Sequence, residues 1–456
     1  MVPLQRRLYR IDALAIALGT VIGIGVFRNT GMVLRGTGGF AGATLLWLVS
    51  GVLVLGGAVL YADLSGRVPE AGGPYAYVRV AFGGKAAFAY GWMNAGVTIP
   101  ARQASTAAIT GELLAKWIPL SPRALALTLY LVLAVIHLFG VRAGAIAQRI
   151  FTAGKLLTVM LVVVLAVTLG AMGTGATGEP AGAVVPAVSF GLALNAVWYT
   201  YLGWQDVVLL AEELYEPRRD LPVVMIGTVL LVMVAFTALH VAVFWGLGGS
   251  AEAYDIGMNY PALHVASRML DGFGDNLLSV LMVLSLIGVT AGGLLVRPRI
   301  GMALARDGLG PAPLTRVSRV GTPYVALALQ VAISAALIAT VNYDKLLELI
   351  GFTMGVLGLF EIASYFVVRR KRPELPTSRL HPWAPLAFLI MSGALCVLSG
   401  RDHPWGIVTA FGILAAIALI YAIARPRMIP AEAAAIALDL PEARARAGTP
   451  RPDAET

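Results

Sequence analysis

Glycines interrupt an apolar stretch near the N-terminus of this 456-residue chain. The segment DALAIALGTVIGIGVFRNTG (residues 12–31) contains Gly19, Gly23 and Gly25. Glycine removes the steric barrier to non-helical backbone angles, so a helix can unwind at such a cluster. The free N–H groups that begin the next half-helix, at the positive end of its dipole, bind a carboxylate without a cationic side chain. The alternative interpretation is close packing of Gly19 and Gly23 against another helix.

A second apolar stretch is interrupted in a similar way. NAVWYTYLGW (residues 195–204) places Asn195, polar aromatic residues and Gly203 inside an otherwise apolar run. Carbonyl groups that are freed at such an interruption accept an ammonium group. Interrupted helices at corresponding positions in two halves of a chain are typical of the binding sites of secondary transporters. Together the two interruptions suit a zwitterion.

The composition predicts an all-α polytopic membrane protein. Hydrophobic residues make up 58% of the chain, charged residues make up 13%, and the mean hydropathy is +0.80, whereas about 25% of the residues of a soluble protein are charged. Strand-like alternation is absent from the sequence, so the spans are helices. We predict twelve transmembrane helices, at residues 11–34, 40–66, 84–111, 123–140, 146–170, 187–212, 221–247, 276–305, 324–342, 345–368, 383–399 and 404–424.

The placement of positive charge predicts the orientation. Most of the 34 Lys and Arg residues lie in the N-terminus, in every second loop and in the C-terminal tail. The positive-inside rule then puts both termini in the cytoplasm. The net charge of +9 is therefore explained by the cytoplasmic loops and termini of a membrane protein, and we expect no nucleic-acid partner. We predict a multi-pass protein of the plasma (cytoplasmic) membrane, with the lipid bilayer as its partner. The single cysteine, Cys396, lies in an apolar run, so we expect no disulfide-linked partner subunit.

The predicted helices divide into two halves of five. Five spans per half force the halves into opposite membrane orientations, which is the arithmetic of an inverted repeat. We predict a cytoplasmic N-terminus (1–10), a first repeat (11–172), a second repeat (187–368), two peripheral helices (383–424) and a cytoplasmic tail (425–456).

Five sequence motifs follow one another between roughly residues 8 and 375. They are GTVIGIGVF (19–27), LSGRVPEAGGPYAYVRVAFGGKAAFAYGW (64–92), RIFTAGKLL (149–157), YLGWQDVVLLAEELYEPRRDLP (201–222) and RPRIGMALARDGLGP (297–311). In this order they resemble motifs of the amino acid–polyamine–organocation (APC) transporters, in particular the L-type amino acid transporter branch and bacterial amino acid permeases. The resemblance implies a LeuT-type fold, with ten helices in two inverted repeats and two peripheral helices.

The resemblance also implies a binding site for an amino acid. The backbone of the first interruption would hold the substrate carboxylate, at Ile22, Gly23, Ile24, Gly25 and Val26. The backbone of the second would hold the α-amino group, at Tyr199, Thr200 and Tyr201. The side-chain pocket and its gate would be shaped by Leu202, Gly203 and Trp204.

This sequence departs from the family pattern near that pocket. Ile24 stands where the family signature has Ser or another small residue, so a hydroxyl contact is lost. Leu202 replaces a glycine and Gln205 an asparagine of the L-type branch. These changes add bulk near the pocket and predict small or medium cargo.

Lys155 is an ionisable residue within the fifth predicted helix. One interpretation is that its side chain snorkels to the cytoplasmic interface. The other comes from the resemblance: in sodium-independent family members, a lysine in this motif occupies the place of a sodium ion, between carbonyls of the first and eighth helices. A desolvated lysine also titrates readily, so Lys155 is a candidate for coupling to protons.

Further charged residues lie in the predicted spans or at their ends. Arg102, which follows Pro100, is a candidate for coupling or gating, and we favour a structural or pathway-lining role for it over contact with substrate. Glu361 either pairs with a basic neighbour or acts in coupling or gating. Glu212 and Glu213 are predicted to latch the cytoplasmic gate or to cap the helix that begins near residue 221.

These expectations define a function and its rivals. We predict a sodium-independent secondary carrier of neutral L-amino acids that works by alternating access, as an exchanger or proton symporter. A carrier of cationic amino acids or polyamines is the alternative, although it would need acidic groups in the pocket, and Asp206 is the one acidic candidate in the two motifs. A channel or sensor of the same fold is a further rival. We predict no enzyme, cofactor or metal, because the five histidines are scattered without metal-ligand spacing.

Overall fold

Helices dominate the structure, a computed structural model that describes residues 6–70, 72–139, 141–172, 189–248, 260–373, 378–402 and 404–424. The predicted tail (425–456) lies outside the described residues. The helices are α1 (Arg10–Val21), α2 (Gly25–Thr37), α3 (Phe40–Arg67), α4 (Pro74–Phe82), α5 (Gly84–Met93), α6 (Ile99–Leu114), α7 (Pro122–Ile136), α8 (Val141–Ala171), α9 (Phe190–Tyr201), α10 (Pro217–Gly246), α11 (Pro261–Val296), α12 (Pro298–Arg306), α13 (Tyr324–Thr340), α14 (Tyr343–Lys371), α15 (Trp383–Asp402) and α16 (Pro404–Ala424). The described residues contain no strand, only a single bridge between Leu8 and Leu214.

The helices are long and apolar enough for a polytopic membrane protein. Five of the described helical stretches qualify as spans by length and composition, and a sixth is added if α1 and α2 count as one bent span. Four further apolar helices, within α7, α13, α15 and α16, are shorter. The structure thus agrees with an all-helical membrane protein, while the number twelve stays a prediction.

The first helix breaks at the predicted glycine cluster. α1 ends at Val21, α2 begins at Gly25, and their axes are bent by 44°. Ile22, at the end of α1, has extended backbone angles (φ −71°, ψ 91°). α2 ends at Thr37, and the next residue, Gly38, has a φ of 73°, the left-handed conformation that favours glycine at a helix C-terminus.

The second predicted interruption is also a break. α9 begins after Ser189, whose side chain accepts a hydrogen bond from the Leu192 N–H (3.1 Å) and so caps the helix. α9 ends at Tyr201, and Leu202 is extended. Gly203 then turns the chain with φ 129°, and residues 204–213 form a 3-10 helix instead of continuing α9.

Two helical segments were not predicted from the sequence. α11 begins at Pro261, well before the predicted start at 276, and bends at Leu270 and Asp271. α4 lies in the segment between α3 and α5, where Tyr75 Oη donates to Asp307 Oδ2 (2.6 Å). Burial and the Asp307 carboxylate raise the pKa of the Tyr75 hydroxyl, so this residue donates as a neutral phenol.

Hydrogen bonds and ion pairs connect the N-terminal segment to the end of the 3-10 helix and to α10. The backbone N–H groups of Arg7 and Leu8 donate to the Glu213 carbonyl (2.9 and 3.0 Å), and Arg10 pairs with Asp220 (2.7 Å). Asp12 of α1 pairs with Arg149 of α8 (2.6 Å). We call these contacts, with the pairs Glu213–Arg299 and Glu212–Arg306, the N-terminal network. The two glutamates therefore pair with arginines of α12, and no side chain caps the first turn of α10.

Candidate functional site

The two helix breaks lie against each other. Thr20 Oγ1, in the last turn of α1, donates to the Gly203 carbonyl (3.0 Å). A Cβ atom on Gly203 would lie 2.6 Å from the Thr20 carbonyl oxygen, so only glycine allows this approach. Asn29 Nδ2 of α2 donates to the Ala196 carbonyl (3.1 Å) and to Thr200 Oγ1 (3.0 Å) of α9. Residues far apart in sequence therefore hold the two breaks in one place.

A cavity of about 40 Å³ lies between the breaks. One water molecule needs a cavity volume of about 10–15 Å³, so this cavity has room for roughly three water molecules. Its walls come from α1, α2, the connection between them, α6, α9 and α11 with the residue after it, and consist of Thr20, Val21, Gly23, Ile24, Gly25, Arg102, Thr106, Ile109, Tyr199, Thr200, Leu202, Leu286, Val289 and Arg297.

The backbone around the cavity presents both kinds of polar group. No hydrogen-bond partner for the N–H groups of Gly23, Gly25 and Val26 occurs within the described residues. The N–H groups of a first helical turn have no partner inside their own helix, and the helix dipole adds positive charge there. α1 and α9 end at the same cavity, and their last carbonyl groups carry the opposite partial charge. This arrangement can hold a carboxylate at the start of α2 and an ammonium at the ends of α1 and α9.

The structure brings some of the predicted site residues together in the cavity and leaves others outside its walls. Seven predicted residues line it, namely Gly23, Ile24, Gly25, Arg102, Tyr199, Thr200 and Leu202. Five that were expected there are not among the lining residues, namely Ile22, Val26, Tyr201, Gly203 and Trp204.

The contacts of these five residues explain their positions. The Ile22 carbonyl accepts a hydrogen bond from Ser285 Oγ (3.2 Å), and Val26 is fully buried. Tyr201 Oη donates to the Trp47 carbonyl (3.1 Å). Trp204 packs edge-on against Tyr61, with 5.1 Å between ring centroids. Gly203 forms the turn at the second break, and its carbonyl accepts the hydrogen bond from Thr20 Oγ1.

A buried cluster of charged side chains lies beside the cavity. Arg297 Nε and Nη2 both donate to Asp206 Oδ2 (3.1 and 2.8 Å), and its Nη1 donates to Gln103 Oε1 (3.0 Å). Arg102 Nη1 lies 3.5 Å from Asp206 Oδ1. Two guanidinium groups therefore share one carboxylate, and both line the cavity.

Arg297 was not among the predicted site residues, although it lies beside the cavity. Arg297 is 2% exposed and lies at the end of α11, inside the predicted span 276–305. An arginine within a predicted span is a candidate functional residue, so Arg297 could have been identified from the sequence on this ground. The other missed lining residues, such as Thr106 and Val289, are ordinary helix residues that no sequence pattern distinguishes.

Lys155 of α8 is 2% exposed, and its side chain lies against α1 and α11. Its Nζ donates to the Gly19 carbonyl, in the last turn of α1. A Cβ atom on Gly288 of α11 would lie 3.1 Å from Nζ, so a larger residue there would displace the ammonium group. This burial contradicts the snorkelling interpretation, because the side chain ends against protein backbone.

Glu361 is buried away from the cavity walls. Tyr90 Oη of α5 donates to Glu361 Oε1 (2.6 Å). Across the described residues Glu361 forms no ion pair, so the expected basic neighbour is not found. In the same described part of the chain, no group of three or more His, Cys, Asp or Glu side chains could hold a metal ion.

The sequence matches the model of a known family over residues 8–435, a family described as amino acid permease. The chain belongs to this family. It is a permease for amino acid transport and no enzyme, in agreement with the sequence-based prediction.

Several characterised transporters are similar to this permease. The serine/threonine exchanger SteT of Bacillus subtilis (strain 168) is 27% identical over 87% of this chain and 91% of its own length. The human large neutral amino acids transporter small subunit 2 is 28% identical over 88% of this chain and 77% of its own. The mouse Asc-type amino acid transporter 1 is 26% identical over 91% and 79%.

Proposed function

We propose that this permease carries small, neutral L-amino acids across the plasma membrane, and that this transport does not depend on sodium. The observation that carries the proposal is the pair of facing helix breaks, because together they offer N–H groups to a carboxylate and carbonyl groups to an ammonium. The names of two relatives support the neutral class, since one exchanges serine and threonine and another is a transporter of large neutral amino acids.

In this proposal Lys155 takes the place of a sodium ion. Its ammonium group lies against the Gly19 carbonyl, at the negative end of the α1 dipole, where a cation is favoured. A resident positive charge at this position would repel a metal cation.

We further propose a LeuT-type arrangement of twelve transmembrane helices in two inverted repeats, with both termini cytoplasmic. The N-terminal network then lies on the cytoplasmic side and holds that side closed, and alternating access requires these pairs to separate. The transporter works as an exchanger or a proton symporter, with Lys155 and Glu361 as buried groups available for coupling.

The charges around the cavity disfavour the cationic alternative. The lining residues include two arginines and no carboxylate, and Asp206 behind them is already bound to both. A cationic amino acid or polyamine would meet excess positive charge there.

Uptake of labelled alanine, serine and threonine into proteoliposomes tests the proposal. We expect label to accumulate equally when sodium is replaced by N-methylglucamine. Stimulation by internal unlabelled amino acid indicates exchange, and stimulation by an inward proton gradient indicates symport. Strict sodium dependence contradicts the role of Lys155, and binding without accumulation supports a sensor.

Ile24→Ser is expected to widen the range of cargo. Ile24 lines the cavity and is 4% exposed, so the shorter residue enlarges the site. Since one methylene in a pocket changes binding by about 1–3 kcal/mol, we expect leucine and phenylalanine to gain roughly tenfold or more as competitors of alanine uptake. The control is Val26→Ala, which removes a buried side chain outside the cavity walls. An unchanged competitor profile for Ile24→Ser contradicts this view of cargo size.

A further inference from the structure

The buried charges beside the cavity do not balance. Arg102 and Arg297 contribute two positive charges and Asp206 one negative charge. Each of the three guanidinium nitrogens of Arg297 has a partner, because Nε and Nη2 donate to Asp206 and Nη1 donates to Gln103. Arg102 has one long contact, 3.5 Å from Nη1 to Asp206 Oδ1. The surplus positive charge therefore belongs to Arg102.

The Arg102 guanidinium is buried but open to the cavity. Arg102 is 7% exposed and is one of the lining residues. Within the described residues its Nε and Nη2 have no hydrogen-bond partner, so these donors face the cavity or the space beside it. Burial of a cation without a full set of acceptors is costly in a membrane protein, and such groups mark pathways for charged cargo.

We propose that Arg102 binds a carboxylate on the side chain of the cargo, so that this permease also carries acidic amino acids. This inference rests on the proposed function, because the helix breaks would hold the α-carboxylate and α-ammonium that all amino acids share. A guanidinium fork matches the two oxygens of a carboxylate, whereas a neutral side chain leaves the surplus charge uncompensated. Aspartate is the smaller of the two acidic amino acids and is therefore the first cargo to test.

Competition by acids and by their amides tests the proposal without a variant. Aspartate and asparagine have nearly the same shape and differ by one charge. We expect aspartate to inhibit labelled alanine uptake at a concentration at least tenfold lower than asparagine, and labelled aspartate to accumulate. Equal inhibition by the two, with alanine uptake intact, overturns this inference alone. If no amino acid accumulates, the proposed function fails as well.

Variants of Arg102 assign the preference to this side chain. We expect Arg102→Gln to reduce the aspartate-to-asparagine ratio to about one, and Arg102→Lys to restore part of it, because lysine keeps the charge and loses the fork. The control is Arg123→Gln, since Arg123 bonds Asn342 at an exposed position and should keep the ratio of the unmodified protein. A ratio that is unchanged in Arg102→Gln overturns the proposal.

A free inorganic anion is the other source of negative charge. If chloride compensates Arg102, replacing it by gluconate lowers alanine uptake severalfold, and aspartate does not outcompete asparagine. That result overturns the proposal in favour of an anion site. We expect alanine uptake and the aspartate preference to be the same in chloride and gluconate.

Discussion

Lys155→Met is expected to lower amino acid uptake by roughly 10- to 100-fold. The ammonium donates to the Gly19 carbonyl in the last turn before the first break. A hydrogen bond to a charged group contributes about 1.5–3 kcal/mol, which corresponds to this range of rates. Methionine keeps most of the volume and removes the charge, so the loss reports on the ammonium group and not on a cavity. Initial uptake rates in proteoliposomes, normalised to reconstituted protein, measure the effect.

Thr152→Val is the matched control for this change. Thr152 also lies on α8 and donates to a carbonyl of α1, that of Ala15 (2.7 Å), one turn before Gly19. Its hydrogen bond is neutral and contributes about 1 kcal/mol, so we expect less than tenfold loss of uptake. Equal losses in the two variants indicate a packing role for Lys155. Uptake of Lys155→Met within threefold of the unmodified protein contradicts the proposed site.

Gly203→Ala is expected to abolish transport and to destabilise the protein by roughly 3 kcal/mol or more. The φ angle of Gly203 is 129°, a conformation that residues with a side chain rarely adopt. Its new Cβ would also lie 2.6 Å from the Thr20 carbonyl oxygen and 2.9 Å from the Val21 nitrogen. These are backbone atoms of the other break, so the variant separates the breaks. Uptake and the thermal unfolding midpoint in detergent measure both effects.

Gly39→Ala separates strain from contact. Gly39 also has a positive φ (148°), but no heavy atom lies within 4 Å of its Cβ position. We expect this variant to lose some stability and to keep transport, because Gly39 lies outside the cavity walls. If both variants lose transport equally, the approach of Gly203 to Thr20 is not what positions the site.

Several features of the fold could be predicted because they depend on local chemistry. Gly23 and Gly25 mark the break between α1 and α2, because glycine adopts non-helical backbone angles without a steric penalty. Gly203 marks the end of α9 for the same reason. Gly19 lies inside α1, where a Cβ atom would meet Gln148 and Thr152 of α8, so the alternative of close packing describes this residue. The start of α11 at Pro261 was missed, because the residues from 261 to 275 are too polar to read as part of a span.

The candidate site was predictable only in part. Gly23, Gly25 and Thr200 line the cavity as the motifs imply, whereas Tyr201 and Trp204 turn away from it. Motifs identify the segment that meets the cavity, but a helix directs neighbouring side chains to different sides. Which of five adjacent residues faces inward depends on how the helix is rotated against its neighbours.

By itself, the sequence determined the class of protein, the two breaks and the family, because apolar composition, glycine and motif order are properties of the chain. Only the tertiary structure decided which charges meet. Arg297 is 91 positions from Asp206 and 194 from Gln103, and its orientation relative to Arg102 depends on the packing of α6 and α11 with the 3-10 helix. Electrostatic balance depends on distances of a few ångströms between distant residues. The surplus charge of Arg102, and with it the proposed acidic cargo, could therefore be recognised only in the folded molecule.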